Sequence, residues 1–128
     1  MSIEGGIEKN SGVSIEYTYK GKYDEILSSG VINDFDLKVP EGTTEFDGYI
    51  KTSYDNFAYQ GSIDGAKELI AQIKRLEKLT VELQNIENQL FVAKSEKNPT
   101  LIEDLNKMKE SILKELNSLE AIINPYKI

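Results

Sequence analysis

The chain has 128 residues, 39% of them hydrophobic and 29% charged, with no cysteine, no histidine and a formal net charge of −7. That length suits one domain with a modest core, and the apolar fraction lies outside the signature of a disordered chain. Without Cys or His there is no disulfide, no Cys/His zinc site, no thiol nucleophile and no His-based triad, which leaves carboxylate, Lys, Ser/Thr and Tyr chemistry.

The opening "MSIEGGIEKNSG" lacks a basic region followed by an apolar run, and nowhere is there a stretch long and apolar enough to cross a bilayer. A cytoplasmic or virion-associated protein is the expectation. Gly5, Gly6 and Gly12 match neither a dinucleotide fingerprint nor a phosphate loop, so residues 1–12 are expected as a flexible arm or an edge strand.

From residue 13 the period is two. "VSIEYTY" alternates Val13, Ile15, Tyr17 and Tyr19 with Ser14, Glu16 and Thr18; "VINDFDLKV" sets Val31, Phe35, Leu37 and Val39 against Asp34, Asp36 and Lys38; "TEFDGYIKTSY" sets Phe46, Ile50 and Tyr54 against Glu45, Asp47 and Lys51. Turn candidates at Gly21, Ser29-Gly30, Pro40-Glu41-Gly42 and Asp55-Asn56 divide these runs, predicting an antiparallel meander of four or five strands over 13–61 with one buried face.

The period changes near residue 62. Ser62 and Asp64 are both suitable N-caps, and Ile63, Ala66, Leu69, Ile70, Ile73, Leu76, Leu79, Leu83, Ile86 and Leu90 then recur at three- and four-residue steps, predicting a helix over 64–94. Such a helix is roughly 46 Å long, against roughly 27 Å for the width of a β unit of this size. Its apolar stripe changes sides near Ile73, Leu76 and Leu79, so its two ends should meet different neighbours. "SEKNPT" breaks the helix. Asn98 with Pro99 can start a second one, and Thr100 with Glu103 is an alternative capping box. Leu101, Ile102, Leu105, Met108, Ile112, Leu113, Leu116, Leu119 and Ile123 share its apolar face, Glu103–Lys107 and Glu110–Lys114 are favourably ordered pairs, and Asn124-Pro125 stops it. The expected fold class is therefore α+β: an acidic β unit followed by a long antiparallel two-helix hairpin over 62–124 that packs on the sheet, with 125–128 as a tail.

Two helices bury only a narrow seam between them. Val81, Phe91, Val92, Ile102 and Leu113 widen the apolar arc beyond it, which points to a dimer or trimer of this chain through the helices, with Leu83, Ile86 and Leu90 also expected at that interface. The alternative is a curved hairpin folded back over its own sheet.

Five carboxylates fall between Asp34 and Tyr49. As a calcium loop this stretch fails, because Lys38 stands where a ligand is required and Val39 where the sharp turn needs glycine. No metal and no cofactor is expected. As a pair for acid–base work, Asp34, Asp36, Glu45 and Asp47 alternate with the inward residues and so lie on the wet face, where carboxylates keep ordinary pKa values. A catalytic role is not expected. The recognition candidates are the tyrosine-rich "YDNFAYQG", with Tyr54, Asp55, Phe57 and Tyr59, together with Tyr49, Asp34, Asp36 and Asp47.

The acidity is concentrated. Residues 1–63 carry five Lys against eleven Asp/Glu, whereas 64–128 carry ten Lys/Arg against eleven. That field disfavours direct binding to nucleic acid or anionic membrane and favours a protein partner with a basic surface. A short β module followed by a coiled-coil-like segment is similar in architecture to small accessory proteins of phage tails and baseplates, which implies a non-enzymatic, oligomeric assembly module. The alternative expectation is a small acidic inhibitor of the viral anti-defence type, blocking a nucleic-acid-binding protein or holding a nucleotide.

Overall fold

The computed structural model describes residues 12–128; the expected arm or edge strand over residues 1–12 falls almost wholly outside them. Four strands, β1 (Ser14–Lys20), β2 (Ile26–Ile32), β3 (Glu45–Lys51) and β4 (Asn56–Ser62), precede two helices, α1 (Ile63–Ser95) and α2 (Pro99–Ile123), and a final 3-10 turn, Asn124–Tyr126. This is the expected α+β arrangement. By packing, the chain divides into two compact units, one holding the residues up to Ala71 together with Pro125–Ile128 and the other holding Gln72–Asn124.

In the first unit all strand pairs are antiparallel, in the order β2-β1-β3-β4. A meander would place β2 between β1 and β3. Instead β1 is central, and residues 33–44 carry the chain from the far edge to β3. Two sequence expectations fail here. Ser29-Gly30 is not a turn but the middle of β2, paired with Thr18 and Tyr17. Residues 36–40, expected as one arm of a hairpin, have no regular structure, although Phe35, Leu37 and Val39 are still half-buried and Asp34, Asp36 and Lys38 exposed. Alternation identified Phe35, Leu37 and Val39 as the sheltered side chains but misplaced Val31, which is exposed on the outer face of β2 while Ile32 takes the inward position opposite Ile15. It could not supply the neighbouring strand that would make the segment part of the ladder.

The register explains how one face closes. Three rows run across the sheet: Ser28–Tyr19–Phe46–Gly61, Gly30–Tyr17–Gly48–Tyr59, and Ile32–Ile15–Ile50–Phe57. The middle row alternates glycine with tyrosine; the Tyr17 ring lies over Gly30, and the Tyr59 ring over Gly61 and Gly65. Gly48 is the tightest point. A Cβ there would strike the Glu16 carbonyl oxygen on the neighbouring strand, which as backbone cannot step aside. Ile15, Phe46, Ile50 and Phe57 are fully buried on this face, and Ile63, Ala66, Leu69 and Ile70 from the start of α1 are buried in the same unit.

Helix α1 begins where the sheet ends. Ser62 is its cap, accepting the Gly65 amide on Oγ at 3.1 Å, and the Ile63 amide donates to the Thr44 carbonyl at 3.0 Å. Of the two starts considered for α2, Asn98 is used: its Oδ1 accepts the Leu101 amide at 3.2 Å and Pro99 takes the first helical position.

The second unit is an antiparallel hairpin with its own core. Ile86, Leu90, Ala93 and Leu105 form one cluster beside the turn, and Leu79, Leu116 and Leu119 form another further along. Arg75 and Glu115 make a two-pronged ion pair across the hairpin at 2.8 and 3.1 Å, Lys109 reaches Glu87 at 3.3 Å, and the expected Glu103–Lys107 pair closes at 3.5 Å. The Arg75 guanidinium, by hydrogen bond and by charge, holds the Glu115 carboxyl below the usual carboxylate range.

Replacing Gly48 should cost far more than replacing a glycine of special conformation. Gly42 has a φ of 90° with open space around its missing Cβ, so Gly42→Ala should lose about 1 kcal/mol through backbone strain. Gly48→Ala should lose at least about 2 kcal/mol, because overpacking here displaces a central strand. Urea unfolding of the two variants checks the order.

Candidate recognition surface

The residues singled out for recognition do not converge. Asp47 and Tyr49 are on the outer face of β3, opposite the buried rows, with Tyr49 47% exposed. Tyr54 and Asp55 form the β3–β4 turn, where Thr52 Oγ1 accepts both their amides at 3.1 and 3.0 Å; Tyr54 projects into solvent, and Asp55 pairs with Lys127 at 3.4 Å. Asp34 turns its own loop by accepting the Asp36 amide at 2.9 Å, and Asp36 is exposed. Among the described residues no three acidic side chains gather into a cation site.

Phe57 and Tyr59 are corrections. Both point to the buried face because they occupy alternate positions from the inward row of β4: Phe57 is wholly inaccessible, and Tyr59 is half-buried with its hydroxyl donating to the Ser62 carbonyl at 2.9 Å. Tyr59 belongs to a run of neighbouring rings, Tyr17–Tyr19 at 4.7 Å, Tyr19–Phe46 at 6.0 Å, Phe46–Tyr59 at 6.2 Å and Tyr59–Tyr126 at 5.6 Å. These separations are those of favourable aromatic contacts. The run is core, not a binding platform.

Tyr126 shows that the tail is more than an end. Lys127 bridges to Phe57 in antiparallel fashion and the Ile128 amide donates to the Asn56 carbonyl at 2.9 Å, so the last residues cover part of the β4 edge. Alternation in "NPYKI" was too short to reveal this.

What remains open on the sheet is its outer face. Val31, Glu16, Tyr49 and Ala58 form a row across the four strands, and Ser14, Glu16, Val31, Tyr49 and Lys51 line a shallow concavity of about 160 Å³. Val31 and Glu16 were not singled out from sequence, because their proximity to Tyr49 depends on strand order. The concavity is open and of mixed charge, with Glu16 and Lys51 both on its rim.

The helical candidates separate as well. Ile86 and Leu90 are buried within the hairpin, and Leu83 and Ile102 pack half-buried against its clusters; these four close the hairpin on itself and are not free for a second protomer. Phe91, Val81, Val92 and Leu113 are exposed, Phe91 at 74%. On the 3.6-residue period Phe91, Ile102 and Leu113 share the flank that carries the Glu87–Lys109 pair. The opposite flank carries Arg75–Glu115 and a groove of about 290 Å³ whose apolar floor is Ile86, Met108 and Ile112.

Comparison with known protein families, with curated proteins and with solved structures finds no match to this chain. No helix among the described residues is long and apolar enough to cross a membrane.

Burial leaves a signature on Tyr19. Desolvation, with a smaller contribution from neighbouring Tyr17, pushes its phenol up to about 12, from an ordinary 10.0. In the unfolded chain Tyr19 ionises near the ordinary value, so between pH 10 and 12 the unfolded state sheds a proton the native state keeps. Stability should therefore be intact below pH 10 and fall as pH rises towards 12. Tyrosinate absorbance should show Tyr19→Phe removing the last phenol to titrate and shrinking that alkaline loss; an unchanged curve would contradict the burial.

Proposed function

We infer that this protein is a non-enzymatic assembly module that self-associates through its helical hairpin. Phe91 carries the reading: a large aromatic side chain 74% exposed on a helix flank that also presents Leu113. Phe91 and its neighbour Val92 give α1 an exposed apolar pair, the kind of surface at which protein contacts form. The charge distribution supports it, since residues 64–128 are nearly balanced whereas the first half holds most of the excess acid; two hairpins approach with little repulsion. The sheet then presents its outer face, with Glu16, Asp47 and Tyr49, to a partner with a basic surface. A structural accessory role of the phage type fits that division of labour through architecture alone. The acidic-inhibitor reading has less support, because Asp55 is paired, Asp34 is engaged in its own loop, and the tyrosine run is core.

Light scattering on the full chain at micromolar concentration should give at least twice the 14.4 kDa chain mass. Phe91→Glu should lower that mass, and Tyr49→Glu should leave it unchanged. A wild-type chain at 14.4 kDa throughout would overturn the reading.

A further inference from the structure

We propose that β2 is a self-complementary edge on which a second copy of this chain docks strand to strand, continuing the sheet across a two-fold axis at Ser29. This surface lies in the other compact unit from the hairpin and goes beyond the association proposed above.

Among the described residues β2 pairs on one side only, with β1. Exposed edge strands ordinarily carry lysine, proline or inward charges that discourage pairing. β2 reads "ILSSGVI", with no charge and no proline, in a chain of net charge −7. Ile26 and Val31 are 65% and 57% exposed, and Leu27 is also open to solvent. The other edge of the sheet is partly occupied, by Lys127 against Phe57 and by Ile128 against Asn56.

The occupant follows from the order of side chains. About Ser29 the strand reads nearly the same in both directions, so antiparallel pairing with its own copy sets Ile26 opposite Ile32, Leu27 opposite Val31, Ser28 opposite Gly30, and Ser29 opposite itself. Apolar meets apolar and small meets small on both faces. Paired residues in this register also share the same backbone phase, so the outward amides and carbonyls of one copy meet those of the other, as an antiparallel ladder requires. The register with β1 slips by one residue between Tyr19 and Lys20, leaving Leu27 without a partner there. The regular ladder therefore centres on Ser28–Ile32, with Ile26 and Leu27 covering the partner's Val31 and Ile32. A neutral strand is also where two acidic chains approach at least electrostatic cost.

The natural absence of cysteine gives a clean test. Opposed residues of an antiparallel pair have Cβ atoms about 4.5 to 5.5 Å apart, close enough for a disulfide after slight adjustment. Under mild oxidation the full-length Ser29→Cys chain should form a covalent dimer at least about tenfold faster than Gln60→Cys, which puts an exposed thiol on β4, because the docked copy raises the effective thiol concentration. Ser29→Lys should lower the associated fraction, and mixing it with Ser29→Glu should restore it. Hydrogen exchange at Ser28–Ile32 should slow as concentration rises. Equal cross-linking of Ser29→Cys and Gln60→Cys would overturn the proposal. So would slow exchange that dilution leaves unchanged, because residues 1–11 of the same chain would then be covering the edge. Adding Phe91→Glu separates the two surfaces: if only the hairpin contact is wrong, the Ser29→Cys cross-link persists; if only the edge contact is wrong, the cross-link disappears while the mass still responds to Phe91→Glu.

Discussion

A four-stranded sheet can bury one face with the apolar residues this chain has, and the row Gly30–Tyr17–Gly48–Tyr59 holds its closest approach, where no Cβ fits between β3 and the Glu16 carbonyl of β1. Large rings directly opposed on neighbouring strands, such as Tyr19 and Phe46, pack against one another, whereas the Tyr17 ring lies over Gly30. Gly48 lets β1 and β3 approach where any Cβ would meet backbone. The remaining arrangement follows from this face. Tyr19 and Phe46 fill the row above, Ile15, Ile50 and Phe57 the row below, and Tyr126 extends the run of rings from the far end of the chain. Parity then sends Glu16, Val31, Asp47 and Tyr49 outward whether or not they have a role there.

The helical unit obeys a different geometry with the same result. Its core of Leu79, Ile86, Leu90, Ala93, Leu105, Leu116 and Leu119 is satisfied within the hairpin, and its ion pairs are exposed, so they orient the helices more than they hold them together. Phe91, Val81 and Val92 contribute nothing to that core. Each unit thus leaves apolar side chains in solvent: Phe91, Val81 and Val92 on the hairpin, and Ile26, Leu27 and Val31 on β2.

Much of this was legible in the sequence because periodicity reports faces directly. Ile15 and Tyr19 inward, Asp34 and Asp36 outward, Ser62 and Asn98 as caps, and the interval at "SEKNPT" all follow from local rules. The change of apolar side near Ile73 falls close to the boundary between the two compact units at Ala71 and Gln72. What stayed hidden is non-local. Strand order depends on which strands meet, so β1 at the centre could not be read from turn spacing, and Ser29-Gly30 looked like a turn because its glycine is there to make room for the Tyr17 ring. For the same reason the recognition candidates mixed two faces: Phe57 and Tyr59 share the inward parity of their strand, while Tyr49 on the next strand has the outward one.

The account stands on that division of faces, and tyrosine reports it at seven positions. Fluorine NMR of the full chain labelled with 3-fluorotyrosine, comparing ordinary with heavy water, measures the solvent contact of each ring. That division predicts no solvent isotope shift at Tyr19, partial shifts at Tyr17, Tyr59 and Tyr126, clear shifts at Tyr49 and Tyr54, and the largest at Tyr23. A fully solvated Tyr19 beside a protected Tyr49 would mean that the sheet buries its other face, and would contradict the account.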